Sequence, residues 1–256
     1  MFGHFCVLSA PKLGSSANEY EDAAAAFPQS GELLPGTSFL RIAVSDGATE
    51  SMLAAQWARL LVNSSAHNSS ESLAGCVEIA IDMWPGVHDD YIAERNDRLM
   101  PIRWYEEPGL ERGAFATLLI ANFSSDGQKG GTWKAEAVGD SNLFHVRDDT
   151  LLAAFPCTSS KDFNTSPALI QSKNINMEIL REHSHHSLGG WESGDSFYLT
   201  TDALAAWFLA RVESGGRPWE TWRDLDEETF SIWSETERTD RLLKNDDLTL
   251  ARLDLY

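Results

Sequence analysis

Apolar residues at the start of the chain come in short runs and then switch to a helical spacing. Residues 5–8 (FCVL) and 39–44 (FLRIAV) are apolar runs of strand length, separated by the turn-rich stretch 28–38. After the sequence Asp46-Gly47, apolar side chains recur with a period near 3.6 residues, at Leu53, Trp57, Leu60 and Leu61. This pattern predicts two strands followed by an amphipathic helix.

The polar stretch 63–72 ends this helical pattern and predicts a loop. A second helical pattern begins at Leu73. Pro85-Gly86 lies within it, and a proline inside a helix removes a backbone hydrogen bond. We therefore expect Pro85 to break or kink this second helix.

From about residue 114 the apolar positions alternate, as they do in strands. Strands are predicted at 114–123, 132–138 and 142–149, with tight turns between them, which is typical of an antiparallel meander. A further strand (195–202), a helix (203–212) and a last strand (248–255) follow. The segment 156–193, rich in Ser, Asn, His and Gly, predicts an irregular flap over the surface. No linker or repeat divides the chain, so we expect a single α+β domain over residues 1–256.

Charge and cysteine content limit the classes of partner. The net charge is −19, so the chain should repel a phosphate backbone, and nucleic acid is not an expected partner. The cysteines Cys6, Cys76 and Cys157 are few and far apart, which fits a reducing compartment. We find neither a signal peptide nor a run of about 18 apolar residues, so we expect a cytoplasmic protein that does not enter a membrane.

Acidic residues recur beside the ends of predicted strands, at Asp46, Asp140, Asp202, Asp246 and Asp247, and Glu21 and Asp22 flank an early apolar segment. If the strands pack as one sandwich, several carboxylates meet at one edge and need cations to stay ionised. Every candidate ligand atom is oxygen, which favours Mg²⁺ or Mn²⁺. The alternative is that each aspartate is a turn residue or a helix cap, and spacing alone leaves both interpretations open.

Six sequence blocks occur in a fixed order: NEYEDAAAAF, IAVSDGATES, GAFATLLIA, AVGDSNLFHV, FYLTTDALA and NDDLTLARL. In content and order they resemble the PPM family, the metal-dependent type 2C serine/threonine protein phosphatases. The corresponding family blocks are an ED pair, a strand-ending DG, a GsT strand, GDSR, TDG and DN-[IM]-T. The resemblance extends from about residue 14 to 255, and the DGATES block resembles divergent, prokaryotic-type members.

This resemblance implies a four-layer α-β-β-α sandwich, in which two central antiparallel sheets are flanked by helix pairs. It also implies a two-metal centre at one end of the sandwich. Asp46 matches the carboxylate that bridges both metals, and Gly47 matches the residue whose main-chain carbonyl is a ligand. Asp202 and Asp246 match further metal ligands.

The remaining acids match positions with supporting roles. Glu21 and Asp22 match an acidic pair that acts through bound water, and Asp140 matches a ligand of a weaker third metal. The implied activity is hydrolysis of phosphoserine or phosphothreonine by a water or hydroxide that bridges two Mn²⁺ or Mg²⁺ ions. Asp46 and Asp202 would then be catalytic through metal-bound water. The implied partners are a phosphorylated protein and a cognate Ser/Thr kinase.

Some positions depart from the family pattern. Ala17 stands near the place of an arginine that grips the substrate phosphate, so Lys12, Arg41 or a flap residue would have to replace it. Ala203 replaces the glycine of TDG, and Asp247 replaces an asparagine, which makes Asp247 an alternative ligand to Asp246. These departures leave a second hypothesis open: an inactive pseudo-phosphatase that acts as a binding partner in a kinase signalling system.

Overall fold

A computed structural model describes residues 1–28, 31–33, 35–67, 72–127, 129–163 and 166–256. The first half of the chain forms β1 (Gly3–Ala10), a 3-10 turn (Ala17–Glu19), β2 (Ala23–Phe27), β3 (Glu32–Leu33), β4 (Phe39–Ser45), α1 (Ala54–His67), α2 (Leu73–Asp97) and α3 (Glu107–Arg112). The second half forms β5 (Phe115–Ala116), β6 (Leu118–Ser125), β7 (Gly130–Val138), β8 (Asn142–Arg147), β9 (Thr150–Phe155), β10 (Ile170–Gln171), α4 (Met177–Glu182), β11 (His185–Glu192), β12 (Ser196–Thr200), α5 (Asp202–Glu213), α6 (Pro218–Trp222), α7 (Glu227–Thr239) and β13 (Leu248–Leu255).

Two large antiparallel sheets form the centre of the molecule. One has six strands in the order β3-β1-β13-β12-β8-β9, and the other has five in the order β11-β7-β6-β4-β2. In the six-stranded sheet Thr200 lies opposite both Asn142 and Leu250. In the five-stranded sheet Leu118, at the start of β6, pairs with Val138 at the end of β7. These registers bring the turn between β7 and β8 close to the end of β12.

The space between the two sheets is filled by side chains from alternate strand positions. Ile42 and Val44 of β4 point into this layer, whereas Ala43 between them packs with the helices on the other face. Phe123 of one sheet and Phe197 of the other meet edge to face, with ring centroids 4.8 Å apart. Apolar side chains on both faces of β4 therefore allow this strand to be covered by the other sheet on one side and by helices on the other.

Helices cover the outer face of each sheet. Trp57 of α1 and Val77 of α2 pack against the five-stranded sheet. On the six-stranded sheet Phe208 of α5 stacks on Phe144 of β8 at 3.9 Å, and Trp222 of α6 and Phe230 of α7 join the same apolar cluster. The predicted α+β sandwich of four layers is confirmed. The second helix layer contains α5, α6 and α7, so it is larger than the expected pair.

The prediction of an irregular flap over residues 156–193 is wrong for its second half. Strand β11 pairs with β7 along its whole length and forms the edge of the five-stranded sheet. Its composition hid it, because an edge strand with an exposed face lacks apolar alternation. Leu188 is 75% exposed, and Gly189 lies where a side chain would collide with the Trp133 ring.

Two predictions about the helices also need correction. The predicted loop 63–72 is helical as far as His67. Ser64 and Ser65 are buried within this helix, and the Ser65 hydroxyl donates to the Leu61 carbonyl at 2.7 Å. Residues 68–71 of that loop lie outside the described residues. Helix α2 continues through Pro85 to Asp97, so the proline does not break it. No helix in the described part of the chain has both the length and the apolar character needed to cross a bilayer.

Candidate functional site

Four aspartates that lie beside strand ends line one cleft. Asp46 follows β4, Asp140 lies in the turn between β7 and β8, and Asp202 begins α5 directly after β12. Asp246 precedes β13 and lines the same cleft, which has a volume of about 490 Å³. The sheet registers bring these four residues together, although up to 200 positions separate them in the sequence.

The backbone around Asp46 is fixed by Thr117, the residue between β5 and β6. The Thr117 amide donates to the Asp46 carbonyl at 2.9 Å, and the Asp46 amide donates to Thr117 Oγ1 at 3.0 Å. Thr117 Oγ1 also lies 2.8 Å from Ser141 Oγ, beside Asp140. Gly47 has no room for a side chain, since a Cβ there would lie 2.7 Å from the Glu21 carbonyl oxygen. The strand end is therefore held rigidly at the cleft.

The clustered carboxylates resist ionisation. Burial raises the pKa of Asp46 well above its ordinary value, and the charges of Asp22, Asp202, Asp246 and Asp140 raise it further. Burial, together with the charge of Asp202, also raises the pKa of Asp140 to about 6. The protein has gathered more negative charge here than its own groups neutralise, and positive charge in the cleft would favour the ionised forms.

Lys244 supplies part of that positive charge. Its Nζ lies 3.0 Å from Asp202 Oδ2 and 2.8 Å from Asp246 Oδ2, so one ammonium bridges two of the predicted metal ligands. Partial burial acts to lower the pKa of Lys244, but the hydrogen bond to Asp246 and the charge of Asp202 outweigh it and raise this pKa. Sequence reasoning missed Lys244, although it stands only two residues before Asp246.

Asp247 faces away from this cation. Its Oδ1 accepts from the Lys12 amide at 2.9 Å and its Oδ2 accepts from the Glu21 amide at 2.8 Å. With 4% of its surface exposed, Asp247 ties together three separate chain segments. Of the two adjacent aspartates, Asp246 is the one whose side chain is presented to the cleft.

The acidic pair Glu21 and Asp22 lies behind the four cleft aspartates. Asp22 is 2% exposed, accepts from Thr249 Oγ1 at 3.0 Å and lines a neighbouring cavity rather than the main cleft. Burial raises the pKa of Asp22 well above its ordinary value. Glu21 Oε2 accepts from Thr49 Oγ1 at 2.6 Å and from Lys12 Nζ at 3.3 Å. Both acids are near the cleft, but each already has partners within the protein.

The cations considered in the sequence as phosphate-binding groups are not free to act in the cleft. Arg41 is buried on the five-stranded sheet, where it donates to the Ser65 carbonyl at 2.9 Å and to Asn122 at 2.6 Å. The structure instead brings Arg112, at the end of α3, to the wall of the cleft. No motif singled out Arg112, although it directly precedes the GAFATLLIA block.

The donor atoms fit a hard divalent cation in chemical type, because all are carboxylate or carbonyl oxygens. Asp202 Oδ1 is buried and has no hydrogen-bond partner among the described residues, as expected of an atom that awaits a ligand. In the described ranges, however, no group of three or more His, Cys, Asp and Glu side chains is arranged closely enough to hold an ion. Among these acids, Asp202 and Asp246 share the Lys244 ammonium instead.

Comparison with known proteins identifies the fold. No protein-family model matches the sequence, and no curated protein matches it. The Mycobacterium tuberculosis serine/threonine phosphatase PstP/Ppp is similar in structure, with a TM-score of 0.57 and 15% identity over 100% of this chain and 99% of that chain.

Two metal-bound structures are also similar. The PstP catalytic domain in complex with two manganese ions gives a TM-score of 0.52 at 15% identity, over 99% of this chain and 98% of that one. RsbX in complex with magnesium gives 0.54 at 18% identity, over 100% and 96%. The chain therefore has, along its whole length, the fold of the PPM-type phosphatases.

Proposed function

We propose that this protein is a metal-dependent phosphatase that hydrolyses phosphoserine or phosphothreonine in proteins. The observation that carries the proposal is the meeting of Asp46, Asp140, Asp202 and Asp246 in one cleft at the ends of the two sheets. A nucleic acid or a membrane would not require such a concentration of carboxylates, whereas divalent cations would. The shared fold with phosphatases that bind manganese or magnesium supports the same conclusion.

In this proposal the cleft residues hold two Mn²⁺ or Mg²⁺ ions. Asp46, Asp202, Asp246 and the Gly47 carbonyl would be the main ligands. When bound, the ions supply Lewis acidity that activates water and offsets charge on a phosphoryl group. Thr117 keeps the Asp46 backbone in place through its two hydrogen bonds, so that the central carboxylate is preorganised.

The other acids have supporting roles in the proposal. Glu21 and Asp22 would act through water, since their side chains already accept hydrogen bonds within the protein. Asp140, with its raised pKa, is a candidate ligand of a weaker third ion. The partners proposed are a phosphorylated protein substrate and the kinase that phosphorylates it.

One observation favours a second candidate, a pseudo-phosphatase that binds a partner in a kinase signalling system. Lys244 already contacts Asp202 and Asp246, and an ammonium of the protein itself can take the place of a cation without creating a catalyst. The absence of an arginine near Ala17 points in the same direction. We rank this candidate second because all four aspartates still line the cleft, and Asp202 Oδ1 is buried without a hydrogen-bond partner among the described residues.

Hydrolysis with defined metal content separates the two candidates. The full-length protein should hydrolyse a phosphothreonine peptide and p-nitrophenyl phosphate with Mn²⁺, and chelation should remove this activity. Asp46→Asn and Asp202→Asn should each reduce the rate at least a hundredfold, as expected when a ligand of a catalytic ion is lost. Equal hydrolysis with chelator would rule out the metal-dependent mechanism. Manganese binding in calorimetry without any hydrolysis would favour the pseudo-phosphatase.

A further inference from the structure

The proposed function leaves one role without a residue, the cation that holds the substrate phosphate. A cleft with four aspartates repels a phosphomonoester dianion, so positive charge from the protein is needed to orient it. We propose that Arg112 is this group and binds the phosphate of the substrate. The proposal rests on the proposed function, because it assigns the phosphate to the same cleft.

Arg112 is placed at the cleft by a short helix and a turn. It is the last residue of α3, and the following Gly113 has a φ of 84°, a left-handed conformation that glycine adopts without strain. A Cβ at Gly113 would lie 2.8 Å from Ser172 Oγ, so both the angle and the space require glycine. The chain then turns into β5, and the Arg112 side chain lines the cleft with Asp46, Asp140 and Asp202.

Two contacts orient the Arg112 guanidinium, and only one of them uses an N–H donor. Arg112 Nη2 donates to the Glu50 carbonyl at 2.9 Å, and Cζ lies 5.9 Å from the centre of the Phe115 ring. A guanidinium has five N–H donors, and the Glu50 contact uses one of them. No carboxylate within salt-bridge distance of Arg112 occurs in the described part of the chain. The side chain is therefore prepared to accept an anion without first breaking an ion pair.

The other nearby cations are engaged. Lys244 is the second basic residue on the cleft wall, and its ammonium bridges Asp202 and Asp246. Lys12 donates to Glu21 and Thr49 and lines a neighbouring cavity. Of the two basic side chains that line the main cleft, Arg112 is thus the one that forms no ion pair with a described carboxylate.

Arginine suits this role better than lysine. Its planar fork donates two parallel hydrogen bonds to two phosphate oxygens, whereas an ammonium acts as a point charge. This geometry matches the free oxygens of the terminal phosphate in phosphoserine and phosphothreonine. The side chain enters the cleft from α3 rather than from the N-terminal region around Ala17.

Phosphate binding and catalysis can be tested separately. Inorganic phosphate is titrated calorimetrically into the manganese-loaded full-length protein, and KM and kcat are measured with a phosphothreonine peptide. Arg112→Met should weaken phosphate binding and raise KM by about ten- to a hundredfold, the usual loss for charge-assisted hydrogen bonds. Arg112→Lys should fall between Arg112→Met and the unaltered protein. The affinity for Mn²⁺, measured without phosphate, should change by less than about twofold.

The matched control is Arg98→Met, which removes the same charge from an exposed arginine whose partner is Glu94 rather than a cleft residue. It should leave phosphate affinity and KM unchanged. Equal phosphate affinity in Arg112→Met and the unaltered protein would overturn the assignment of Arg112, whatever the activity. Absence of phosphate binding by the unaltered protein would also overturn it. Arg112-dependent binding without hydrolysis would instead support Arg112 and reject the proposed phosphatase.

Discussion

The Lys244 ammonium occupies a position between two carboxylates that a metal ion would also need. It contacts Asp202 and Asp246 at 3.0 and 2.8 Å, while 63% of the lysine side chain is exposed. Exposed ion pairs contribute only about 0.2–1 kcal/mol each, because water and salt screen them. Lys244 therefore neutralises the site weakly, and a divalent cation with several oxygen ligands can displace it.

Removing this ammonium should strengthen metal binding. In Lys244→Met, Mn²⁺ no longer has to displace the lysine or approach its charge, so we expect its dissociation constant to fall about fivefold, the equivalent of about 1 kcal/mol. Calorimetric titration of Mn²⁺ measures this change. Lys161→Met removes an equal charge from an exposed site and should alter the affinity by less than about twofold. Weaker Mn²⁺ binding in Lys244→Met would show that the lysine supports the site rather than competing for it.

Among single residues, the sequence predicted which acids meet at the cleft better than which cations do. Asp46 and Asp202 lie at strand ends, and strand ends are visible in the apolar pattern. Lys244 and Arg112 reach the cleft from a loop and from the end of a short helix, and their positions depend on tertiary packing. No local pattern determines where such long side chains end.

Among the structural elements, the loop before β13 carries two adjacent aspartates with different roles. Asp246 turns its carboxylate to Lys244 and the cleft, whereas both oxygens of Asp247 accept backbone N–H groups from the N-terminal segment. Helix α7 holds this loop, because Arg238 donates to the Asp246 carbonyl at 2.6 Å and to the Pro11 carbonyl at 3.0 Å. The site thus depends on contacts among α7, the loop before β13 and the N-terminal segment, the last of which is distant in sequence from the other two.

Substituting the two aspartates in turn should separate metal binding from stability. Asp247→Asn replaces one acceptor oxygen with an NH₂ group, so one of the amides of Lys12 and Glu21 loses its partner, at a cost of about 1–3 kcal/mol. Urea denaturation of the metal-free protein should detect this loss. Asp246→Asn should change that stability by less than about 1 kcal/mol but weaken Mn²⁺ binding at least tenfold. The reverse pattern would identify Asp247 as the ligand.

The sequence predicted well those elements whose burial in the fold requires a regular pattern of apolar residues. Strand β4 and helix α5 are buried on one or both faces, so their spacing is clear. Strand β11 is an edge strand with an exposed face, and the last turns of α1 bury serines that resemble loop residues. Both were missed because hydrogen bonding and packing with distant partners, rather than local apolar spacing, keep them regular.

Across the whole molecule, layer packing preserves the fold while the sequence changes. Identity to PstP is 15%, yet the similarity extends over 100% of this chain. What a four-layer sandwich requires is apolar alternation in the central strands and an apolar stripe on each helix, and many sequences satisfy both. The same architecture brings the ends of distant strands to one edge, so the aspartates at those ends form a cluster of like charges.

That cluster should make the metal-free protein less stable as pH rises. Asp140 has a folded pKa of about 6, against an unfolded value of about 3.9, so the folded state binds more protons between these values. The free energy of unfolding should therefore fall between about pH 4 and pH 6, by up to about 3 kcal/mol from this residue. Asp140→Asn has no ionisable group at this position, so this contribution to the pH dependence of its free energy of unfolding is absent.

Urea denaturation with chelator at pH 4.5 and pH 7 measures the effect, and the comparison with Asp140→Asn removes contributions from carboxylates elsewhere. The stability gained by Asp140→Asn should be greater at pH 7 than at pH 4.5 by about 2 kcal/mol. Saturating Mn²⁺ should raise the stability of the unaltered protein at pH 7, because a ligand of the folded state adds about 2.7 kcal/mol at a hundred times its dissociation constant. If Asp140→Asn gains the same stability at pH 4.5 and pH 7, Asp140 ionises freely in the folded protein and its charge is already neutralised there.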